Sequence, residues 1–140
     1  MSHSISLQVK DALGDQKLFG LVNNAGTGLG HGVTDKDVVN TNFYGPKRVC
    51  DNFIPMMDQK AGRIVNIGSG GGPSFVKKIS DVAVKKQMCS ASTTWAELEV
   101  IMKRFLDGDN FGGGACYGMS KAGLTVYTMQ LAAQYPNIKV

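Results

Sequence analysis

Histidine is almost absent from this chain, with two in 140 residues, His3 and His31. A histidine-built metal centre or a Ser–His triad therefore has little to draw on. Cysteine is scarce too. Cys50, Cys89 and Cys116 make an odd count with no C-x-x-C spacing, which supports neither a disulfide framework nor a zinc site, and no metal is expected. No run approaches the roughly 18 apolar residues of a membrane-spanning helix. The start, Met1-Ser2-His3-Ser4, lacks the pattern of a secretory signal. A soluble, cytoplasmic protein with no membrane partner is expected. Charge of one sign is equally thin: 15 Lys and Arg against 11 Asp and Glu leave a net +4. Without a basic stripe interleaved with aromatics, nucleic acid is not an expected partner.

What the chain has in excess is glycine, 18 residues, about twice the usual ~7%. The glycines bunch at 26–32, 68–72 and 112–114. Such clusters between periodic segments mark loops where the backbone turns sharply or lets a ligand approach closely.

The patterning between the clusters reads as one domain. Ile5, Val9 and Leu13 share a helical face that ends near Gly14. Leu18-Phe19-Gly20-Leu21-Val22 predicts a strand over 18–23, buried on both faces and running out into Asn23-Asn24-Ala25-Gly26. Thr34 with Asp37 forms a helix N-cap. The helix that follows carries Val39, Phe43, Cys50, Phe53 and Met57 on one face, is expected to kink at Pro46, and stops at Gly62. Arg63-Ile64-Val65-Asn66-Ile67 predicts a second buried strand over 63–68, delivering Gly68-Ser69-Gly70-Gly71-Gly72. Strand, glycine loop, helix, strand, glycine loop is the grammar of an open parallel α/β sheet. Residues 73–116 break that rhythm. Within them Thr94 and Glu97 form a capping box, and Leu98, Ile101, Met102, Phe105 and Leu106 make an apolar helical stripe ending near Gly108. A last helix spans 117–135, halted by Pro136, and 138–140 opens a further strand.

Open α/β sheets place ligands at the carboxyl ends of their strands, where both early glycine loops sit. The last helix opens Tyr117-Gly118-Met119-Ser120-Lys121, which sets Tyr117 and Lys121 one turn apart on one face. A phenol ionises near pH 10 and is a poor acid–base group at neutral pH, but an ammonium beside it stabilises the phenolate. The pair is thus a workable proton donor for reducing a carbonyl. Ser69 is placed to hydrogen-bond the same oxygen, and Asn42 to support the lysine through water.

In these residues the chain resembles the short-chain dehydrogenase/reductase family, within it the carbonyl-reductase-like branch. Asn23-Asn24-Ala25-Gly26 is similar to the family's structural motif. Asn42 matches its helix asparagine, Ser69 its active-site serine, and Tyr117 with Lys121 its Tyr-x-x-x-Lys, all in family order. The segment from Ser69 to Tyr117 is much longer than in ordinary members and resembles the helical insertion of the monomeric carbonyl reductases.

The resemblance implies an incomplete Rossmann-type doubly wound parallel sheet with a helical insertion at 73–116, a single partial domain over 1–140. It implies NADP(H)-dependent reduction of a small-molecule carbonyl to an alcohol, with NAD as the other possible cofactor. Tyr117, Lys121, Ser69 and Asn42 would be catalytic. Asn24, Ala25, Gly26, Tyr117 and Lys121 would line the cofactor. The family's glycine motif for the cofactor pyrophosphate, T-G-x-x-x-G-x-G in its first βαβ unit, has no counterpart, and neither G-x-G-x-x-G nor the P-loop pattern occurs. An alternative expectation follows: an inactive truncated fragment, or a piece needing a partner chain. The complete enzyme is expected to be a monomer, and the chain as given to self-associate.

Overall fold

The computed structural model describes residues 2–28, 30 and 32–140, with side chains from Ile5 onward. His31 and the side chain of His3 lie outside the described residues. Helix α1 (Ser2–Leu13) leads to strand β1 (Gly20–Asn23). After the first glycine loop come α2 (Asp35–Val39), one wide π turn (Asn40–Tyr44), α3 (Gly45–Phe53) and a 3-10 turn (Ile54–Met56). Strand β2 (Arg63–Asn66) follows. The rest is helical: α4 (Gly71–Lys78), α5 (Val82–Gln87), α6 (Trp95–Leu106) and α7 (Cys116–Gln134).

The two strands pair in parallel, with Leu21 opposite Ile64 and Val22 opposite Val65. Arg63 bridges in parallel to Lys139, so the 138–140 segment lies where a third strand would begin. The chain is α/β with a parallel sheet and flanking helices, as the strand–loop–helix rhythm predicts.

Three expectations are corrected. The strands are shorter than 18–23 and 63–68, Leu18 joining only through an isolated bridge to Met57. Nor are they buried on both faces. Leu21 and Ile64 pack with Cys50, Leu124, Tyr127 and Leu131 of α3 and α7, but Val22 is 61% and Val65 46% exposed on the opposite face. Among the described residues helices cover one face only, and a continuous apolar run cannot report which faces are covered. Finally, the long helix does not kink at Pro46 and run to Gly62. Its irregularity comes earlier, in the π turn over Asn40–Tyr44. Pro46 lacks the N–H that would bond back to residue 42, and a widened turn accommodates this. Arg48 turns back to donate to the Asn40 carbonyl and side chain.

The 73–116 region supplies much of a second core. Leu98, Ile101, Met102 and Phe105 of α6 are buried with Val39, Phe43, Phe75 and Met119. Thr94 caps α6 reciprocally with Glu97, whose carboxyl those bonds hold below its usual range. Trp95 stacks on Phe43 with ring centroids 4.6 Å apart and meets Tyr127 edge-on, joining this core to the one under the sheet.

Candidate functional site

Helices α4 and α7 meet almost backbone to backbone. A Cβ on Gly72 would stand 3.1 Å from the Ala122 nitrogen, and one on Gly118 would stand 2.9 Å from the Gly71 carbonyl oxygen. Only glycine permits that approach, and it draws the start of α4, just after Ser69, onto the first turns of α7. Ser69 Oγ and the Tyr117 ring carbons Cδ1 and Cε1 all lie within 3.5 Å of the point where a Cβ on Gly71 would be. The Ser69 hydroxyl accepts from the Gly71 N–H at 3.1 Å, which leaves its own O–H free to donate.

On its other edge Tyr117 faces the first glycine loop. Gly28 has φ +134°, and a Cβ there would stand 2.7 Å from Tyr117 Cδ2. The ring thus sits in a slot between two bare α-carbons. Lys121, only 5% exposed, brings its ammonium to 5.9 Å from the Tyr117 ring centre and donates to the Ile67 carbonyl at 2.7 Å.

Asn42 is fully buried on the π turn. It accepts from the Thr27 N–H at 2.8 Å and donates to the Thr27 carbonyl at 2.7 Å and to Ser120 Oγ at 3.1 Å. Both amide hydrogens are thereby used. Asn42 and Lys121 share no direct bond but converge on Gly26, where a Cβ would lie 3.4 Å from Asn42 Oδ1 and 3.7 Å from Lys121 Nζ. Three separate segments, the π turn with Asn42, the loop after β2 with Ser69 and the start of α7 with Tyr117 and Lys121, therefore meet at the carboxyl ends of β1 and β2.

Several residues that the sequence did not single out as site residues complete the arrangement. Gly28 and Gly71 flank the ring, and Ser120 links Asn42 to the Tyr117 carbonyl, to which it donates at 2.8 Å. Asn23 donates to Asn66 at 2.8 Å, and Asn66 to Thr128 at 2.9 Å, tying both strand ends to α7. Glycine clustering was the available signal for the first two. Nothing in the sequence pattern marks the Asn23–Asn66 pair.

A cleft of about 370 Å³ opens between the loops, lined by Asn24, Gly26, Thr27, Gly68, Tyr117 and Lys121 among others. Ala25 is not among its lining residues. Bare glycine backbone, an asparagine side chain and one ammonium suit a flat, hydroxyl-rich group such as a nucleotide ribose with its attached ring. A second cleft of about 370 Å³ lies against α2, α4 and the 113–115 loop and shares only Gly28 and Tyr117 with the first. Among the described residues no group of three His, Cys, Asp or Glu could hold a metal ion, and no helix is long and apolar enough to cross a membrane.

Comparison with known proteins agrees with this fold. The family model for short chain dehydrogenase matches residues 3–96. Short-chain dehydrogenase/reductase family 9C member 7 of Mus musculus is 45% identical over 71 residues, 46% of this chain and 23% of that protein. Carbonyl reductase (NADPH) 3 of Rattus norvegicus is 31% identical over 127 residues, 81% of this chain and 45% of that protein. The chain thus spans less than half the length of these curated relatives. Salutaridine reductase from Papaver somniferum superposes with a TM-score of 0.81 over 99% of this chain and 62% of its own, a likeness of fold at 22% identity. Menthone neomenthol reductase from Mentha piperita gives 0.76 at 25% identity, covering 98% of this chain and 63% of its own.

Proposed function

The chain belongs to the short-chain dehydrogenase family, and from that premise we propose that it carries the proton-transfer half of an NADP(H)-linked carbonyl reductase site. The observation that carries the reading is that three segments bring these residues together: Tyr117 and Lys121 of α7 line the first cleft, Ser69 lies beside the Tyr117 ring, and Asn42 is buried behind them through Ser120. Bound cofactor supplies the hydride. Tyr117 gives its phenolic proton to the carbonyl oxygen as that oxygen gains charge, and the Ser69 hydroxyl donates to the same atom. The Lys121 ammonium stabilises the phenolate left behind and offers donors to a ribose hydroxyl. Asn42 clamps Thr27 to α7 and so holds the cofactor-side loop that carries Asn24, Ala25 and Gly26. NADP(H) is favoured over NAD because the rat relative's name carries NADPH.

The test is an NADPH titration followed by turnover of a simple ketone, on the chain as given and on Tyr117→Phe. Cofactor binding unchanged with turnover lost supports Tyr117 as the acid. Retained turnover removes it from that role.

A second reading has its own observation. Val22 and Val65 leave one sheet face apolar and open, and an exposed apolar patch invites a covering surface. On this reading the chain acts only with a partner chain or a second copy that covers the face, and is inactive alone. Sedimentation of the dilute chain separates the two: a monomer that binds NADPH tightly disposes of the second.

A further inference from the structure

The second cleft carries an inference that rests on Tyr117 as proton donor, since that residue forms the wall between the clefts. A substrate whose carbonyl meets Tyr117 opposite the cofactor must place its remaining bulk there. Phe75 forms one side of this space and is itself buried.

The Phe75 ring has almost no freedom. Phe105 of α6 meets it edge-on with centroids 5.8 Å apart. On the α7 side, a Cβ on Gly118 would lie 3.0 Å from Phe75 Cβ. At its tip, a Cβ on Gly113 would lie 2.6 to 2.8 Å from three ring carbons, closer than atoms can pack. Phe75 also lines the second cleft. Gly113 does not have a positive φ, so its lack of a side chain answers to the ring and not to the backbone.

We propose that Phe75, backed by Gly113, sets the width of the substrate cleft and hence the upper size of the carbonyl compound accepted. A methyl group at residue 113 cannot push the ring into α6 or α7, which are close-packed against it. It pushes the ring into the cleft. Shortening Phe75 does the opposite and widens it.

Binding of two ketones of different bulk, cyclopentanone and 2-adamantanone, to the full chain tests this through the methyl resonances of Val33 and Val38, which line the same cleft. Gly113→Ala is expected to weaken 2-adamantanone about tenfold relative to cyclopentanone. Phe75→Leu is expected to move the ratio the other way, and it keeps the test usable where Gly113→Ala fails to fold. Equal changes for both ketones in folded variants overturn the gate. Failure of the native chain to bind either ketone there overturns the gate and the cleft assignment together. Normal size selection alongside unimpaired turnover in Tyr117→Phe leaves the gate standing and removes only the acid assignment.

Discussion

Asn42 and Ser120 share a buried hydrogen bond of 3.1 Å that joins the π turn to α7. Ser120 passes the connection to the Tyr117 carbonyl, and Asn42 returns two bonds to Thr27. The amide is thus a clamp between the first glycine loop and the helix that carries the proposed acid. Removing it takes the partner from the part-buried N–H and carbonyl of Thr27 and breaks the buried bond to Ser120, a penalty of about 1–3 kcal/mol. Asn42→Ala is therefore expected to lower stability by that amount in urea unfolding. Ser120→Ala should cost less, and a double-mutant cycle should return clear coupling. Additive effects would mean that the two side chains act independently.

The slot around Tyr117 makes a sharper prediction. Gly28→Ala meets two obstacles, a φ of +134° and a 2.7 Å clash with the ring. Gly108 has φ +108° with nothing within 4 Å of its Cβ position, so Gly108→Ala imposes backbone strain alone. Both variants should lose on the order of 1–3 kcal/mol. Only Gly28→Ala should shift the Tyr117 ring resonances and depress turnover. Equal disturbance of Tyr117 by the two changes would show that the slot plays no part.

The sequence carried the local features of this fold well, because caps and periodic stripes are local physics. The Thr34–Asp37 and Thr94–Glu97 boxes, the buried face of α6 and the helix carrying Tyr117 and Lys121 all stand where patterning puts them. Features that depend on what lies beyond a segment did not show. The exposed face of Val22 and Val65 depends on which helices are near, and the widened turn at Asn40–Tyr44 on how neighbours absorb Pro46. For the proposed site, residue types and order were legible, but the partners were not. The contacts of Asn42 with Ser120 and of Lys121 with the Ile67 carbonyl span long sequence separations that no short motif records.

Docking of α6 can be read from its tryptophan. Trp95 stacks on Phe43 at an interplanar angle of 11° and contacts Tyr44 and Tyr127 edge-on, while Phe105 seats the far end against Phe75. Phe105→Asp buries a carboxylate among apolar side chains and is expected to release the helix. Trp95 emission should then shift to the red, with a loss of several kcal/mol or association of the chain. Unchanged emission from a fully stable monomer would refute the docking of α6.

The three thiols should separate cleanly by environment. Cys89 is exposed, whereas Cys50 and Cys116 are buried. Burial raises the Cys50 thiol above its usual range. Burial, followed by the negative charge of Asp35, pushes Cys116 up to about 12; its thiol also donates to the Asp35 carbonyl at 3.4 Å. A thiol reacts as its thiolate, so Cys116 should stay inert at pH 8 although it adjoins Tyr117. One fast-reacting thiol is expected in the native chain with a disulfide reagent, and three in denaturant. The sign of the linkage follows from the raised value. Keeping Cys116 protonated favours the folded state by nothing extra below the ordinary thiol range near 9, where both states hold the proton. Above that, the unfolded chain releases its proton first, so stability falls between about 9 and about 12. Cys116→Ala should flatten that alkaline loss in unfolding curves taken across pH. A variant as alkali-sensitive as the native chain would assign the loss to other groups.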